Sequence, residues 1–184
     1  MRNSQFFKVL RTIIALAFLS GVLGGTALAQ SAASIDESKL ENSSRDWERI
    51  LPVAVDLKRD GSKASAEKKP ILLFFNLQSC HFCRYSLRTA VVPMFRDPAW
   101  RSAIEFRQVT IDDDKSLIDF DGKKVTNIEF AKARKGSFTP TVMLVDGDGK
   151  LLGEPIVGIA NADYHAGYVE ALARSAVESL KAKK

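Results

Sequence analysis

The sequence predicts an α/β domain in which a central mixed β-sheet carries helices on both faces. The unbroken apolar run 70–76 is typical of a central strand that is buried on both faces. An alternating run at 104–111 predicts a second strand. The runs 141–145 and 151–157 predict a hairpin, because glycine and aspartate lie between them. Segments with helical spacing separate these strands, so helices are expected to cover the sheet.

Residues 1–29 have the composition of an export signal. The first part is basic, with Arg2, Lys8 and Arg11. The apolar stretch 13–23 is short for a bilayer span, and Ala27-Leu28-Ala29 offers small residues for cleavage. We therefore expect a cleaved signal peptide and a periplasmic product without stable membrane insertion. A retained membrane anchor is the alternative.

Small polar residues dominate 30–45, which predicts a flexible lead before a domain that spans 46–184. Apolar residues at helical spacing follow Asp46, but Pro52 interrupts them. This segment is predicted to be either one kinked helix or a turn followed by a helix that starts at Pro52. Seven charges, a glycine and two serines in 58–69 predict an exposed loop.

Four further helices are predicted after the first strand. One begins at the cysteine pair and reaches Pro93, one covers 98–103, and one covers 126–135. Asn161 is expected to cap the last helix. The apolar stripe of that helix consists of Val169, Leu172, Ala173, Ala176 and Leu180. His165 is expected to be a surface residue, as a lone histidine beside a tyrosine usually is.

The charge pattern argues against a nucleic-acid partner. Three of the 27 basic residues but none of the 22 acidic residues lie in 1–29, so the expected mature chain is close to neutral. No run of lysine and arginine is interleaved with aromatic residues, as a single-strand binder would need. No nucleic-acid binding is therefore expected.

Cys80 and Cys83 are the only cysteines of the chain, and two residues separate them. A cysteine at a helix N-terminus faces free backbone N–H groups, which favour the thiolate. Cys80 is therefore predicted to be the nucleophile, and Cys83, one turn into the helix, the resolving thiol. His81 is predicted to tune the Cys80 thiolate. Phe82 is predicted either to contact the substrate or to cover the pair.

Two other roles of the cysteine pair remain open, a static disulfide and a metal site. Two sulfurs supply half of a tetrahedral zinc site, and only His81 and the distant His165 could add nitrogen ligands. The close spacing at a strand-to-helix turn favours redox chemistry. No metal and no cofactor are therefore expected.

Further motifs lie downstream of the apolar strand and the cysteine pair. Phe138-Thr139-Pro140-Thr141 precedes the apolar run 142–145, and Asp148-Gly149-Lys150 follows it. With these motifs in this order, the chain resembles the thioredoxin superfamily over most of residues 47–180. The resemblance implies a thioredoxin-like fold in which the bond between Thr139 and Pro140 is cis and lies against the cysteines. It also implies that these two residues bind the substrate backbone.

Three departures from thioredoxins themselves narrow the resemblance. Ser79 stands where they carry tryptophan, and His81-Phe82 stands where they carry Gly-Pro. Phe74 replaces their buried aspartate, which helps to deprotonate the resolving thiol. The chain is more similar to periplasmic members, such as the catalytic domain of disulfide isomerases and the thioredoxin of sulfur-oxidation clusters. Residues 30–69 are too short for the isomerases' dimerisation domain, so isomerase activity is not favoured.

These observations predict a periplasmic thiol–disulfide oxidoreductase that exchanges disulfides with protein substrates. A reductant is favoured, because similar periplasmic proteins are kept reduced by a membrane electron donor, which would be the redox partner. The alternatives are an oxidase that introduces disulfides, an isomerase, or a non-catalytic binding module with a structural disulfide.

Overall fold

The computed structural model describes residues 49–182. The predicted signal peptide at 1–29, the predicted lead at 30–45 and the start of the predicted domain lie outside the described residues. None of the helices within 49–182 is both long and apolar enough to cross a membrane.

Helices and strands alternate along the described part of the chain. The helices are α1 (Leu57–Glu67), α2 (His81–Ser86), α3 (Val92–Arg96), α4 (Pro98–Ala103), α5 (Asn127–Ala133) and α6 (His165–Ala182). A π-helical segment (Leu87–Val91) joins α2 to α3. The strands are β1 (Ile71–Asn76), β2 (Glu105–Thr110), β3 (Ser116–Ile118), β4 (Lys124–Thr126), β5 (Thr141–Val145) and β6 (Ile156–Val157).

Four strands form the central sheet in the order β2-β1-β5-β6, and β3 pairs with β4 in a separate hairpin. β1 runs parallel to β2, with Ile71 opposite Glu105, and antiparallel to β5, with Ile71 opposite Val145. The sheet is therefore mixed. Every residue of β1 is buried, as predicted for a central strand.

The sheet buries a separate apolar cluster on each face, because side chains alternate along a strand. One cluster, the cysteine face, packs the sheet against α2, the π-helical segment and α6, and includes Leu72, Phe74, Cys83, Leu87 and Val169. The other cluster, the opposite face, packs the sheet against α1 and α5, and includes Leu57, Ala64, Leu73, Phe75 and Phe130. The predicted α/β class, a mixed sheet with helices on both faces, is confirmed.

The prediction of an exposed loop over 58–69 is wrong, because most of this segment is helix α1. The Asp56 carboxylate accepts a hydrogen bond from the backbone N–H of Arg59 at 2.9 Å and caps the helix. Leu57 and Ala64 are buried in the opposite face, while most of the charged residues lie on the solvent side. A Cβ on Gly61 would lie 2.1 Å from the carbonyl oxygen of Gly147, so glycine allows α1 to approach this turn.

The segment before α1 also differs from both predictions for it. Val53 forms an isolated parallel bridge with Gln108, and Asp56 forms another with Ile118, so no helix begins at Pro52. The hairpin of β3 and β4 was not predicted, because each strand has only three residues.

Two predicted boundaries are also corrected near the C-terminus. The second strand of the predicted hairpin shortens to β6, and Leu151 contributes only a single bridge to Val145. The last helix begins at His165, so Asn161 does not cap it. The Asn161 side chain instead accepts a hydrogen bond from the backbone N–H of Asp163 at 3.0 Å, within the turn that precedes the helix.

Candidate active site

The cysteine pair lies at the turn that joins β1 to α2, at one end of the sheet. The turn is fixed by the loop after β2, because both carboxylate oxygens of Asp112 accept from the backbone N–H of Gln78, at 3.0 and 3.2 Å. The N–H of Cys80 donates to the carbonyl of Leu77 at 3.4 Å. These bonds position Cys80 at the start of α2.

Cys80 and Cys83 form a disulfide with a Cα–Cα distance of 5.1 Å. Cys80 is the N-cap of α2, and its sulfur accepts a hydrogen bond from the backbone N–H of Cys83 at 3.0 Å. The sulfur of a reduced Cys80 in this place would have the same donor, which stabilises negative charge. Cys80 is partly exposed, whereas Cys83 is only 1% exposed. The two thiols therefore differ in access to a substrate.

Thr139 and Pro140 lie beside the cysteine pair. The peptide bond between them is cis, and the Thr139 hydroxyl donates to Cys80 Sγ at 3.8 Å. The carbonyl of Pro140 accepts from the N–H of Gly158 at 2.7 Å, and the Thr141 hydroxyl donates to the carbonyl of Phe138 at 2.5 Å. This loop therefore has a fixed shape next to the sulfur atoms.

Two exposed aromatic rings flank these groups. Phe82 is 62% exposed and Phe138 is 67% exposed. His81 is also exposed, and its ring meets that of Phe82 edge to face, with centroids 5.7 Å apart. Phe138 was not predicted as a site residue. The sequence did contain a signal for Phe138, namely a large apolar side chain directly before Thr139. The core does not require an apolar side chain at that position.

His165 is not a surface residue, so that prediction is wrong. It is 2% exposed, and its Nε2 atom lies 2.7 Å from the hydroxyl oxygen of Ser86, which is fully buried. The helical position of Ser86, one turn after Cys83, directs it inward. Burial lowers the pKa of His165. The sequence alone could not reveal this pair, since 79 positions separate the two residues.

The position that the sequence comparison assigned to a buried aspartate in thioredoxins carries an apolar side chain. Phe74 fills that position, fully buried, and its partner in the register of β2 is Gln108. Within residues 49–182, no group of three histidine, cysteine, aspartate or glutamate side chains could hold a metal ion. The groups that the fold brings together are therefore Cys80, Cys83 and Thr139, with the Ser86–His165 pair on the buried side.

Comparison with known proteins gives one family match and several similar structures. A family described as a thioredoxin-like domain matches residues 57–173. A thioredoxin-fold protein from Helicobacter pylori is 19% identical, with a TM-score of 0.48 over 77% of this chain and 94% of that protein. A DsbH oxidoreductase is 17% identical, with a TM-score of 0.48 over 68% of this chain and 87% of that protein. Mitochondrial thioredoxin 3 from Saccharomyces cerevisiae is 16% identical, with a TM-score of 0.45 over 66% and 94% of the two chains. No curated protein sequence matches the chain.

Proposed function

Because this chain belongs to the family of thioredoxin-like domains, we propose that it is a thiol–disulfide oxidoreductase that exchanges disulfides with protein substrates. The observation that carries the proposal is the asymmetric cysteine pair. Cys80 is accessible and accepts a backbone hydrogen bond at the start of α2, whereas Cys83 is buried one turn later. A nucleophile and a resolving thiol need this difference.

As a reductant, the pair begins its cycle as a dithiol. The Cys80 thiolate attacks a substrate disulfide, forms a mixed disulfide and releases the other substrate sulfur as a thiolate, which takes up a proton. Cys83 then loses its proton and attacks Cys80 Sγ, so that the bond between Cys80 and the substrate breaks. The two electrons come from the dithiol, and a partner dithiol restores them. No bound cofactor is needed.

The neighbouring groups take the roles that their positions allow. Thr139 and Pro140 hold the substrate backbone beside Cys80, since the Thr139 hydroxyl is 3.8 Å from its sulfur. The exposed rings of Phe82 and Phe138 contact apolar side chains of the substrate. His81, at the first position of α2 and next to Cys80, tunes the Cys80 thiolate.

We place this activity in the periplasm on the composition of residues 1–29. A membrane electron donor would then keep the pair reduced. N-terminal sequencing of the protein from a periplasmic fraction tests this proposal. A mature chain that starts at Gln30 supports export with cleavage, whereas an intact N-terminus in the membrane fraction contradicts it.

The direction of electron flow is tested by the reduction potential of the pair. A value close to that of thioredoxin, about −270 mV, supports a reductant, whereas one close to −120 mV identifies an oxidant. The redox state of the two cysteines in intact cells is the second measurement, and a reductant is expected to be found mainly as the dithiol.

The exchange activity itself is tested by the reduction of insulin disulfides, with dithiothreitol as electron source. Wild type is expected to accelerate the reaction, Cys80→Ser to abolish the acceleration, and the exposed neighbour Ser79→Ala to retain it. Cys83→Ala is expected to trap substrate proteins through Cys80. If the double variant Cys80→Ser/Cys83→Ser still complements a deletion of the gene, the chain is a binding module with a structural disulfide and the proposal is wrong.

A further inference from the structure

Ser86 and His165 form a buried polar pair, and Ser86 lies one helical turn after Cys83. Ser86 Oγ lies 2.7 Å from His165 Nε2, and the two residues are 0% and 2% exposed. The pair joins α2, which carries Cys83, to the first residue of α6. We propose that this pair takes up the proton that Cys83 loses when it resolves a mixed disulfide. This inference rests on the proposed thiol–disulfide exchange.

Ser86 lies on the same buried side of α2 as Cys83. Residues three apart on a helix have Cβ atoms about 5–6 Å apart. Cys83 is 1% exposed and Ser86 is 0% exposed, so both side chains point into the cysteine face. Ser86 therefore lies one helical turn from the resolving thiol, on the buried side of α2, and contacts the His165 ring.

The resolving thiol needs such a group because the apolar side chains of its cluster cannot take up its proton. Cys83 belongs to the cluster that contains Phe74, Leu87 and Val169. None of these three side chains can accept a proton. A thiolate that forms alone in an apolar interior is strongly disfavoured. The nearby hydroxyl and imidazole allow thiolate and imidazolium to form together, so that their opposite charges attract.

The surroundings of His165 leave its imidazole neutral and able to accept a proton. The ring of Tyr85, which is titratable, lies beside that of His165, with the two ring centroids 6.5 Å apart. Arg84 lies two positions before Ser86, which on a helix points about 160° away from it, and Arg88 is exposed. The exposed titratable groups within four positions of His165 in the sequence are Asp163, Tyr164 and Tyr168. Burial lowers the pKa of His165, which favours the neutral ring.

In the resolving step, the proton of Cys83 Sγ passes to Ser86 Oγ while the Ser86 hydroxyl proton passes to His165 Nε2. The electron pair left on Cys83 Sγ forms the bond to Cys80 Sγ. The bond between Cys80 Sγ and the substrate sulfur breaks, and its electrons leave with the substrate. The imidazolium then loses this proton to solvent, and the leaving substrate thiolate takes one up. His165 acts through Ser86 and is a positioning residue that orients the hydroxyl and holds the proton.

Stopped-flow reaction of the reduced protein with a chromogenic aryl disulfide separates the two steps. The first release of aryl thiolate reports attack by Cys80, and the second reports resolution by Cys83. Ser86→Ala and His165→Gln are expected to slow the second release about 100-fold at pH 6 and to leave the first unchanged. Their second phase is expected to rise about tenfold per pH unit, because it then requires a thiolate formed without assistance. The wild-type second phase is expected to depend less on pH.

Tyr85→Phe is the matched control. It removes the hydrogen bond from the Tyr85 hydroxyl to the carbonyl of Ala162, 2.9 Å long, which also ties α2 to the segment before α6. It is expected to leave both phases unchanged. The inference is overturned if Ser86→Ala keeps the wild-type pH dependence, if it slows both phases equally, or if Tyr85→Phe has the same effect. If His165→Gln does not fold, the inference is tested by Ser86→Ala alone. If wild type releases no aryl thiolate, the proposed function itself fails.

Discussion

Each face of the central sheet contains a buried polar pair, and the two pairs differ in charge. On the opposite face, the guanidinium of Arg107 on β2 donates to the carboxylate of Asp60 on α1 at 2.5 Å. On the cysteine face, Ser86 and His165 meet without an ion pair. The charged pair ties helix α1 to strand β2. A hydroxyl and an imidazole can pass a proton, and this pair lies one helical turn after Cys83.

Asp60→Ala is expected to have the largest effect on the opposite face. It leaves the guanidinium of Arg107 partly buried, with Glu105 at 3.4 Å as the remaining carboxylate. Loss of one partner of a buried pair costs about 3 kcal/mol of unfolding free energy. Urea unfolding measures this cost. Lys63→Ala, which removes an exposed partner of Glu105, is the control and is expected to change stability much less. If the folded Asp60→Ala variant loses more exchange activity than Lys63→Ala, the ion pair on the opposite face also serves the reaction. The proposed difference between the two faces is then wrong.

Gly61→Ala tests how tightly the opposite face is packed. The new Cβ would lie 2.1 Å from the carbonyl oxygen of Gly147, so helix α1 must shift. We expect a loss of about 2 kcal/mol, although alanine is the better helix former. Gly167→Ala in α6 is the control, because nothing lies within 4 Å of its Cβ position. This control is expected to gain about 0.8 kcal/mol in thermal or urea unfolding. Equal effects of the two variants would contradict the close approach.

Phe138→Ser is expected to affect binding rather than folding. The ring is 67% exposed, so the unfolding free energy is expected to change by less than about 0.5 kcal/mol. The rate with a protein disulfide is expected to fall about fivefold, while the rate with a small aryl disulfide stays unchanged, since loss of about 1 kcal/mol of contact energy corresponds to that factor. Leu151→Ser is the control, because Leu151 is also exposed but pairs with Val145 at the far end of β5. Equal losses in both variants would contradict a role of Phe138 in the site.

The smallest expected effect is a pH dependence of stability on the cysteine face. Burial lowers the pKa of His165 in the folded protein. The unfolded chain therefore binds more protons as the pH falls below about 6.5, and the folded protein loses stability between pH 7 and pH 5. His165→Gln is expected to lose less stability over this range in urea titrations. A variant that follows the wild-type curve would show that the ring titrates equally in both states.

The sequence allowed the correct prediction of the features that depend on local pattern. The apolar run before Cys80 identified the central strand, and the motifs around Thr139 led to the thioredoxin superfamily, which the family match confirms. Helix α1 could not be predicted, because only Leu57 and Ala64 indicate its buried side and Gly61 argues against a helix. The role of Gly61 depends on its contact with Gly147, which lies far along the chain.

The missed parts of the candidate site have the same cause. Residues near Cys80 in the sequence were correctly expected to be near it in space. Ser86 and His165 meet only because α6 returns to the start of α2, and neither residue carries a local signal of this contact. Long-range polar contacts of this kind depend on the packing of whole helices. A single sequence with its local periodicity does not contain that information.

The two edge strands of the central sheet determine how easily another chain could add a strand to it. β6, at one margin, has only two residues. At the other margin, the backbone of Gln108 on β2 is already occupied, since it donates to the carbonyl of Pro52 at 2.8 Å and accepts from the N–H of Ala54 at 2.9 Å. A two-residue strand and a strand whose Gln108 backbone groups are occupied are both poor templates for the addition of a foreign strand. At the edges of this sheet, within residues 49–182, an extended polypeptide therefore finds few backbone groups to which it could hydrogen-bond.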